Sequence, residues 1–283
     1  MPDLLMLLPG SQLAIAPEDR NIGTLTQGAP MTRHRLTRTT LGSYLLFAIC
    51  AAAPLSAVGA SFDDAATARS LADMLRAGRT VVSNNQARIN DPAIGDKGLT
   101  GAAFLQQTLA IYHKNTGTDP ATIDPNSRQG RLQRAQMDAI VEVVDAHQGM
   151  LNAPGVGFKG FIPAYFARVV NESFEKRAKG DALVKITAPE YLVRNRKARP
   201  DAWEKDVITA KLLAADWPRG QAYTAVVSTG GREAFRMMMP EYYAASCLAC
   251  HGAPKGETDI TGFPKEGGKE GDLGAVISIV LFK

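Results

Sequence analysis

The chain has 283 residues, 45% hydrophobic and 21% charged, an ordinary globular composition that excludes a disordered, collagen-like or multi-span membrane chain. Its 32 basic and 28 acidic residues leave a net charge of +4, too balanced to argue for nucleic acid as a partner. Three cysteines are too few for a disulfide-stapled scaffold, yet enough to hold one cofactor covalently.

Residues 41–60 read LGSYLLFAICAAAPLSAVGA. Their apolar core is about a dozen residues, short of the roughly 20 that a membrane span needs. A basic, acid-free segment with Arg33, Arg35 and Arg38 precedes it, and small residues follow it to Ala60, with Ala57 as a second cleavage point. This order predicts a signal peptide over 31–60, the alternative being an uncleaved N-terminal anchor. A signal peptide starts at the initiator, so Met31 reads as the true start and residues 1–30 as a misassigned extension. Ile49 before Cys50 argues against lipidation there. The mature domain is expected over 61–283, in the periplasm.

Helical spacing of Leu71, Met74, Leu75 and Val82 predicts a helix over 63–90, ended by a break at Gly95–Gly101. A second helix is expected over 102–114, with Leu105, Leu109 and His113 on one face. Residues 115–130 read as a polar loop. Helix returns over 131–151, where Ile140, Val143, Val144, His147 and Leu151 share a face. GVGFKGF is a Gly-rich turn, and Pro163 opens a helix over 163–178. ALVKITA reads as a strand, and 201–215 as a helix begun at Pro200-Asp201. Tyr223–Val227 and Glu233–Met239 read as a hairpin around Ser-Thr-Gly-Gly-Arg. A loop with seven glycines covers 252–274, and AVISIVLF closes the chain as a buried strand. No internal repeat stands out. Helices first and antiparallel strands last indicate an α+β fold with an N-terminal helical region.

One motif carries chemistry: Cys247-Leu-Ala-Cys250-His251, the Cys-x-x-Cys-His pattern of c-type haem attachment. Two thiols three residues apart on a helical turn face the same way, and each can form a thioether to a haem vinyl group. The adjacent imidazole is then placed to bind the iron. Attachment requires export and reduced thiols, which the leader supports independently. A thiol–disulfide oxidoreductase carries its Cys pair on a βαβ unit, usually early in the domain, and here the pair lies late and after a hairpin. A zinc site lacks a second Cys pair or a His-x₃₋₅-His. A plain structural disulfide is set aside with the zinc site, and haem attachment is the reading that the motif favours.

The distal iron ligand stays open among Met237, Met238, Met239, His113 and His147. Strand alternation puts Phe235, Met237 and Met239 on one face and Met238 on the other. Both histidines lie on apolar helix faces, where a hydrogen-bonded core histidine is the ordinary case, and methionine stripes are ordinarily packing. An open sixth site is the further option. Arg194, Arg196, Lys197 and Arg199 form a basic run that reads as a solvated loop, or else as a site for haem propionates or an acidic redox partner. Arg232, Arg236 and Lys255 are further propionate candidates. Asp201 and Glu204 read as helix-start charges.

Four stretches resemble a known family: GFKGFIPAYF at 157–166, VRNRKARPDAWE at 193–204, MPEYYAASCLACHG at 239–252 and GDLGAVISI at 271–279. The chain is similar there to a single-haem c-type cytochrome family with a PAS-like fold, described in part from cyanobacteria. The resemblance implies a five-stranded antiparallel sheet flanked by helices, with the haem near the C-terminus. It carries over Cys247 and Cys250 as thioether sites and His251 as proximal ligand. At least one relative uses a cysteine as second axial ligand, and residues 61–283 hold no spare cysteine, so here the second ligand differs or is missing.

The expected function is an exported monohaem c-type cytochrome carrying one haem c and transferring single electrons. The alternative is a periplasmic haem-based redox or gas sensor acting through a separate partner. A peroxidase-like enzyme would need an open site with distal acid–base groups, and nothing singles these out. Expected partners are a redox or sensor partner protein and the cytochrome c maturation machinery. Nucleic acid is not expected, and a membrane only through an uncleaved leader.

Overall fold

The computed structural model describes residues 56–283. The extension 1–30 and the leader, with Cys50, lie outside the described residues, save that the first helix begins at Ser56. Among the described residues no helix is long and apolar enough to cross a membrane.

A helical layer comes first. Helix α1 (Ser56–Asn84) and the short α2 (Gln86–Asn90) lead through a loop to α3 (Gly101–Thr116). Helix α4 (Arg128–Ala146) and the short α5 (Gln148–Leu151) lead through a second loop to α6 (Pro163–Ala178). These are two copies of one unit, which corrects the expectation of no repeat. Gln86, Asn90, Pro92, Gly95, Lys97, Gly98 and Phe104 recur in the same order and spacing as Gln148, Asn152, Pro154, Gly157, Lys159, Gly160 and Phe166.

The hydrogen bonds are reciprocal. Lys97 N–H donates to Asn152 Oδ1 at 2.9 Å, and Lys159 N–H to Asn90 Oδ1 at 3.1 Å. The Gln86 amide donates to the Phe161 carbonyl and the Gln148 amide to the Leu99 carbonyl, both at 2.8 Å. Each lysine ammonium turns into its own loop: Lys97 caps the carbonyls of Asp91 and Ile94, and Lys159 those of Ala153 and Val156. Both lysines are buried, and Gly98 and Gly160 follow them with φ of 60° and 70°, a region open to glycine at no steric cost. Phe104 of one copy meets Phe166 of the other, ring centroids 5.1 Å apart. The two units therefore interlock about a shared core.

The buried stripe of α3 is Gly101, Phe104, Thr108 and Tyr112, one residue off the expected Leu105–Leu109–His113 line. Phe104 and Tyr112 are the larger side chains and claim the core. His113 is left exposed.

The second layer is a four-stranded antiparallel sheet in the order β1-β4-β3-β2, so the fold is α+β. Its strands are β1 (Ala182–Thr187), β2 (Tyr223–Thr229), β3 (Arg232–Tyr242) and β4 (Leu273–Phe282). The β2–β3 turn is Gly230-Gly231, both with positive φ, as a tight two-residue hairpin requires. The resemblance implies five strands. After β1 the chain carries Pro189 and Pro200 and folds into two 3₁₀ turns, so no further strand forms beside it among the described residues.

One sheet face presents Phe235, Met237, Met239, Ile277, Ile279 and Leu281 to the helical layer, where α1 meets β3 and β4 and α6 meets β1. The other packs Met238 and Val276 against Val207, Ile208 and Leu212. The last three come from α7 (Ala202–Val207) and the π turn Ile208–Leu212, which ends the expected 201–215 helix early. Asp201 and Glu204 start α7 with reciprocal side chain–backbone hydrogen bonds, each at 2.8 Å. Glu204 is also buried beneath Lys185 and Arg236.

Candidate functional site

Strand β3 delivers the chain to the motif. After Tyr242 it makes one 3₁₀ turn, Ala245–Cys247, and the four-residue helix α8 (Leu248–His251). Cys247, Cys250 and His251 thus sit on consecutive turns, with both thiols free and half-buried.

The loop beyond His251 goes out and returns on itself. Gly256 N–H donates to Lys265 O and Lys265 N–H to Glu257 O; Gly267 N–H donates to Gly252 O and Gly268 N–H to His251 O, at 2.7–3.1 Å. This return path sets Glu266 beside the imidazole. His251 Nδ1 lies 2.8 Å from Glu266 Oε2. An ionised carboxylate only accepts, so Nδ1 carries a proton, and Nε2 is the ring nitrogen left to face a ligand. Arg194 grips both oxygens of Glu266 at 2.7 and 3.0 Å, pairs with Asp259 at 2.7 Å and donates to the Cys250 carbonyl at 2.9 Å. One guanidinium thus ties the helix, the loop and the histidine's partner together.

Burial opposes ionisation of Glu266, but hydrogen bonds from Arg194 and His251 outweigh it and hold the carboxyl below its usual range. Asp259 behaves likewise: burial opposes its charge, while Thr261 and Arg194 hold it well down. Burial pushes the Cys250 thiol up, and the Asp259 charge adds to this.

Tyr243 stacks on His251, ring centroids 5.0 Å apart at 18°. Its ring lies in a glycine cradle: a Cβ at Gly274 would stand 2.2 Å from Tyr243 Cε1, and one at Gly268 2.6 Å from Cε2. The ring is buried, the hydroxyl has no hydrogen-bond partner among the described residues, and burial followed by the Glu266 charge pushes its pKa up to about 12. Tyr243, Glu266, Gly267, Gly268, Leu213 and Leu273 line a cavity of about 360 Å³.

His147 has both ring nitrogens engaged, Nδ1 with the Val143 carbonyl at 2.6 Å and Nε2 with Tyr165 Oη at 2.9 Å. Met237 and Met239 are buried against the helices, and Met238 shares the opposite face with the cavity-lining Leu273. Of the basic run, Arg196, Lys197 and Arg199 are exposed, while Arg194 is not the solvated residue that the run suggested. Arg236 is buried on Asp201 and Glu204 and stacked 4.3 Å over Trp203; Arg232 covers Phe282 and donates to Gly180 O; Lys255 is exposed. Glu266, Asp259 and Tyr243 were not singled out from sequence. Glu266 is one of five acids in a glycine-rich loop, and nothing in the sequence sets it apart from the other four.

A family model for Tll0287-like domains matches residues 60–281. The chain belongs to the Tll0287-like family. That family is named after a cyanobacterial cytochrome c-like protein. No curated protein and no solved structure matches the chain.

The donor set fits haem c better than a bare metal ion. Among the described residues no group of three or more His, Cys, Asp or Glu is placed to hold a metal, as a protein-built zinc site requires. A porphyrin supplies most of its own ligands and asks the protein for axial ones. His251 offers one: its Nδ1–H is tied to a carboxylate, as metal-binding histidines commonly are.

Proposed function

We propose that this Tll0287-like domain is an exported, periplasmic monohaem c-type cytochrome that transfers single electrons. The observation that carries the reading is the pairing, on consecutive turns, of two free thiols with a histidine whose Nδ1–H is already held by Glu266. Bound haem would supply one-electron exchange at its iron. Cys247 and Cys250 would hold it by thioether bonds, and His251 would ligate through Nε2. Arg194 keeps the Cys250 carbonyl and Glu266 in place, and Tyr243 covers the imidazole face.

The PAS-like character of the sheet belongs to the same proposal. Its support is the strand order, in which the last strand lies between the first and the third. A sensor acting through a separate partner is the second reading, favoured by the cavity beside Tyr243 with its unpartnered hydroxyl.

The deciding measurement is the visible spectrum of protein matured with the c-type assembly machinery, reduced with dithionite, with and without carbon monoxide. We expect one covalent haem per chain, lost in Cys247→Ala/Cys250→Ala. Absence of c-type bands overturns the proposal. A carbon monoxide shift of the Soret band means an open or displaceable sixth ligand and selects the sensor.

A further inference from the structure

We propose that Glu266 is a positioning residue that fixes His251 for iron and lowers the reduction potential of the bound haem. This rests on the haem reading above. A neutral carbonyl accepting the Nδ1–H would orient the ring and raise its basicity only modestly. Here the acceptor is a carboxylate, a stronger acceptor than a carbonyl even when paired with Arg194, and it pushes electron density toward Nε2. A more basic Nε2 favours the more highly charged iron, so the oxidised state gains.

Three features make this a built arrangement. The loop hydrogen bonds Gly267 N–H to Gly252 O and Gly268 N–H to His251 O bring residue 266 back to the motif. The two-pronged Arg194 contact leaves Glu266 Oε2 aimed at Nδ1, and Asp259, whose side chain is 0% exposed, anchors Arg194 in turn. The Tyr243 ring, wedged between Gly268 and Gly274, stacks on the imidazole and restricts its rotation.

The test is a potentiometric titration of the haem-loaded parent, Glu266→Gln and Glu266→Asp, with haem content measured alongside. The Gln variant keeps the shape and loses the charge. We expect its ferrous-to-ferric ratio to rise at least tenfold at a fixed ambient potential, an upward shift of about 59 mV for a one-electron couple. Its haem content should stay at one per chain. Glu266→Asp keeps the charge but retreats by one methylene, so its potential should lie between the two. A merely structural residue would alter haem content or thermal stability and leave the potential in place.

A loaded Gln variant with the parent's potential overturns the proposal and leaves the haem reading standing. Should the Gln variant fail to take up haem, the Asp variant decides: an upward shift supports the proposal and none overturns it. A parent chain without covalent haem overturns both.

Discussion

Two regions of this molecule pin a loop with a cation, buried in one and half-buried in the other, and they do so with different acceptors. In the duplicated helical layer Lys97 and Lys159 turn into neutral backbone carbonyls. In the C-terminal loop Arg194 turns into two carboxylates, Asp259 and Glu266. The difference follows from what each cation leaves behind. A carbonyl-capped ammonium satisfies its loop and offers nothing onward, so the lysine loops close a scaffold. A carboxylate held by arginine still has lone pairs free, and Glu266 directs one of them at His251.

The comparison predicts unequal sensitivity. Arg194→Ala should be the most damaging single change, because it strands two carboxylates, one of them with no solvent exposure. Breaking such a pair by removing one partner costs about 3 kcal/mol or more. Urea unfolding of the variant should show that loss, and hydrogen exchange should speed up over residues 252–268 while the lysine loops stay protected. A loss below about 1 kcal/mol, the range of exposed pairs, would mean that the clamp is a surface feature.

The same clamp gives the acid limb of stability its shape. Asp259 is depressed in the folded chain, so its contribution is complete above the unfolded carboxylate value of about 3.9 and is lost as pH falls through the lower folded value. Asp259→Asn removes that contribution at every pH. The stability gap between parent and variant should therefore be constant near about pH 6 and narrow below about pH 4. A gap that widens on acidification would contradict the assignment of Asp259 as an ionised partner of Arg194.

The helical layer contains its own control. Asn90→Ala and Asn152→Ala each remove the acceptor of a lysine backbone N–H in the opposite copy. Each should cost about 1–2 kcal/mol, the effect of leaving one buried donor unmade. Because the two bonds are equivalent by position, the two losses should agree within about 0.5 kcal/mol, in the range of independent-site error. Unequal losses would show that the duplication is one of sequence, with the load carried by one copy.

Much of this architecture was legible in the chain, and what was missed follows a rule. The Cys-x-x-Cys-His turn, the Gly-Gly hairpin and the alternation of Phe235, Met237 and Met239 against Met238 depend on residues close in sequence. The repeat escaped because its signature is discontinuous: Gln, Asn, Pro, Gly and Lys recur at fixed spacing, but most positions between them differ. GVGFKGF reads as a turn, and only the reciprocal Asn–Lys bonds pair it with AIGDKGL. The pairing of Arg194 with Glu266 escaped because 72 positions separate them. The basic run around Arg194 looks solvated until the returning loop brings the carboxylates to it. The stripe on α3 was displaced by one position because counting Leu105 and Leu109 ignores that Phe104 and Tyr112 fill more of the interior.

Tyr243→Phe should have the smallest effect on stability and the sharpest meaning. Its hydroxyl is buried without a partner among the described residues, so removing it from the chain purified without haem should be neutral or slightly stabilising, within about 1 kcal/mol. The ring itself must stay: it fills the space that Gly268 and Gly274 leave and stacks on His251, so Tyr243→Ala should cost about 3 kcal/mol as a large-to-small change. The contrast between Phe and Ala separates what the ring does from what the hydroxyl does. Repeating the Phe variant on haem-loaded protein extends this to the cavity beside Tyr243. A hydroxyl that matters only when haem is bound has a partner that haem brings, and the loaded Phe variant would then lose stability that the empty one keeps. Equal behaviour in both forms would make Tyr243 a packing residue and place the control of His251 with Glu266 and Arg194.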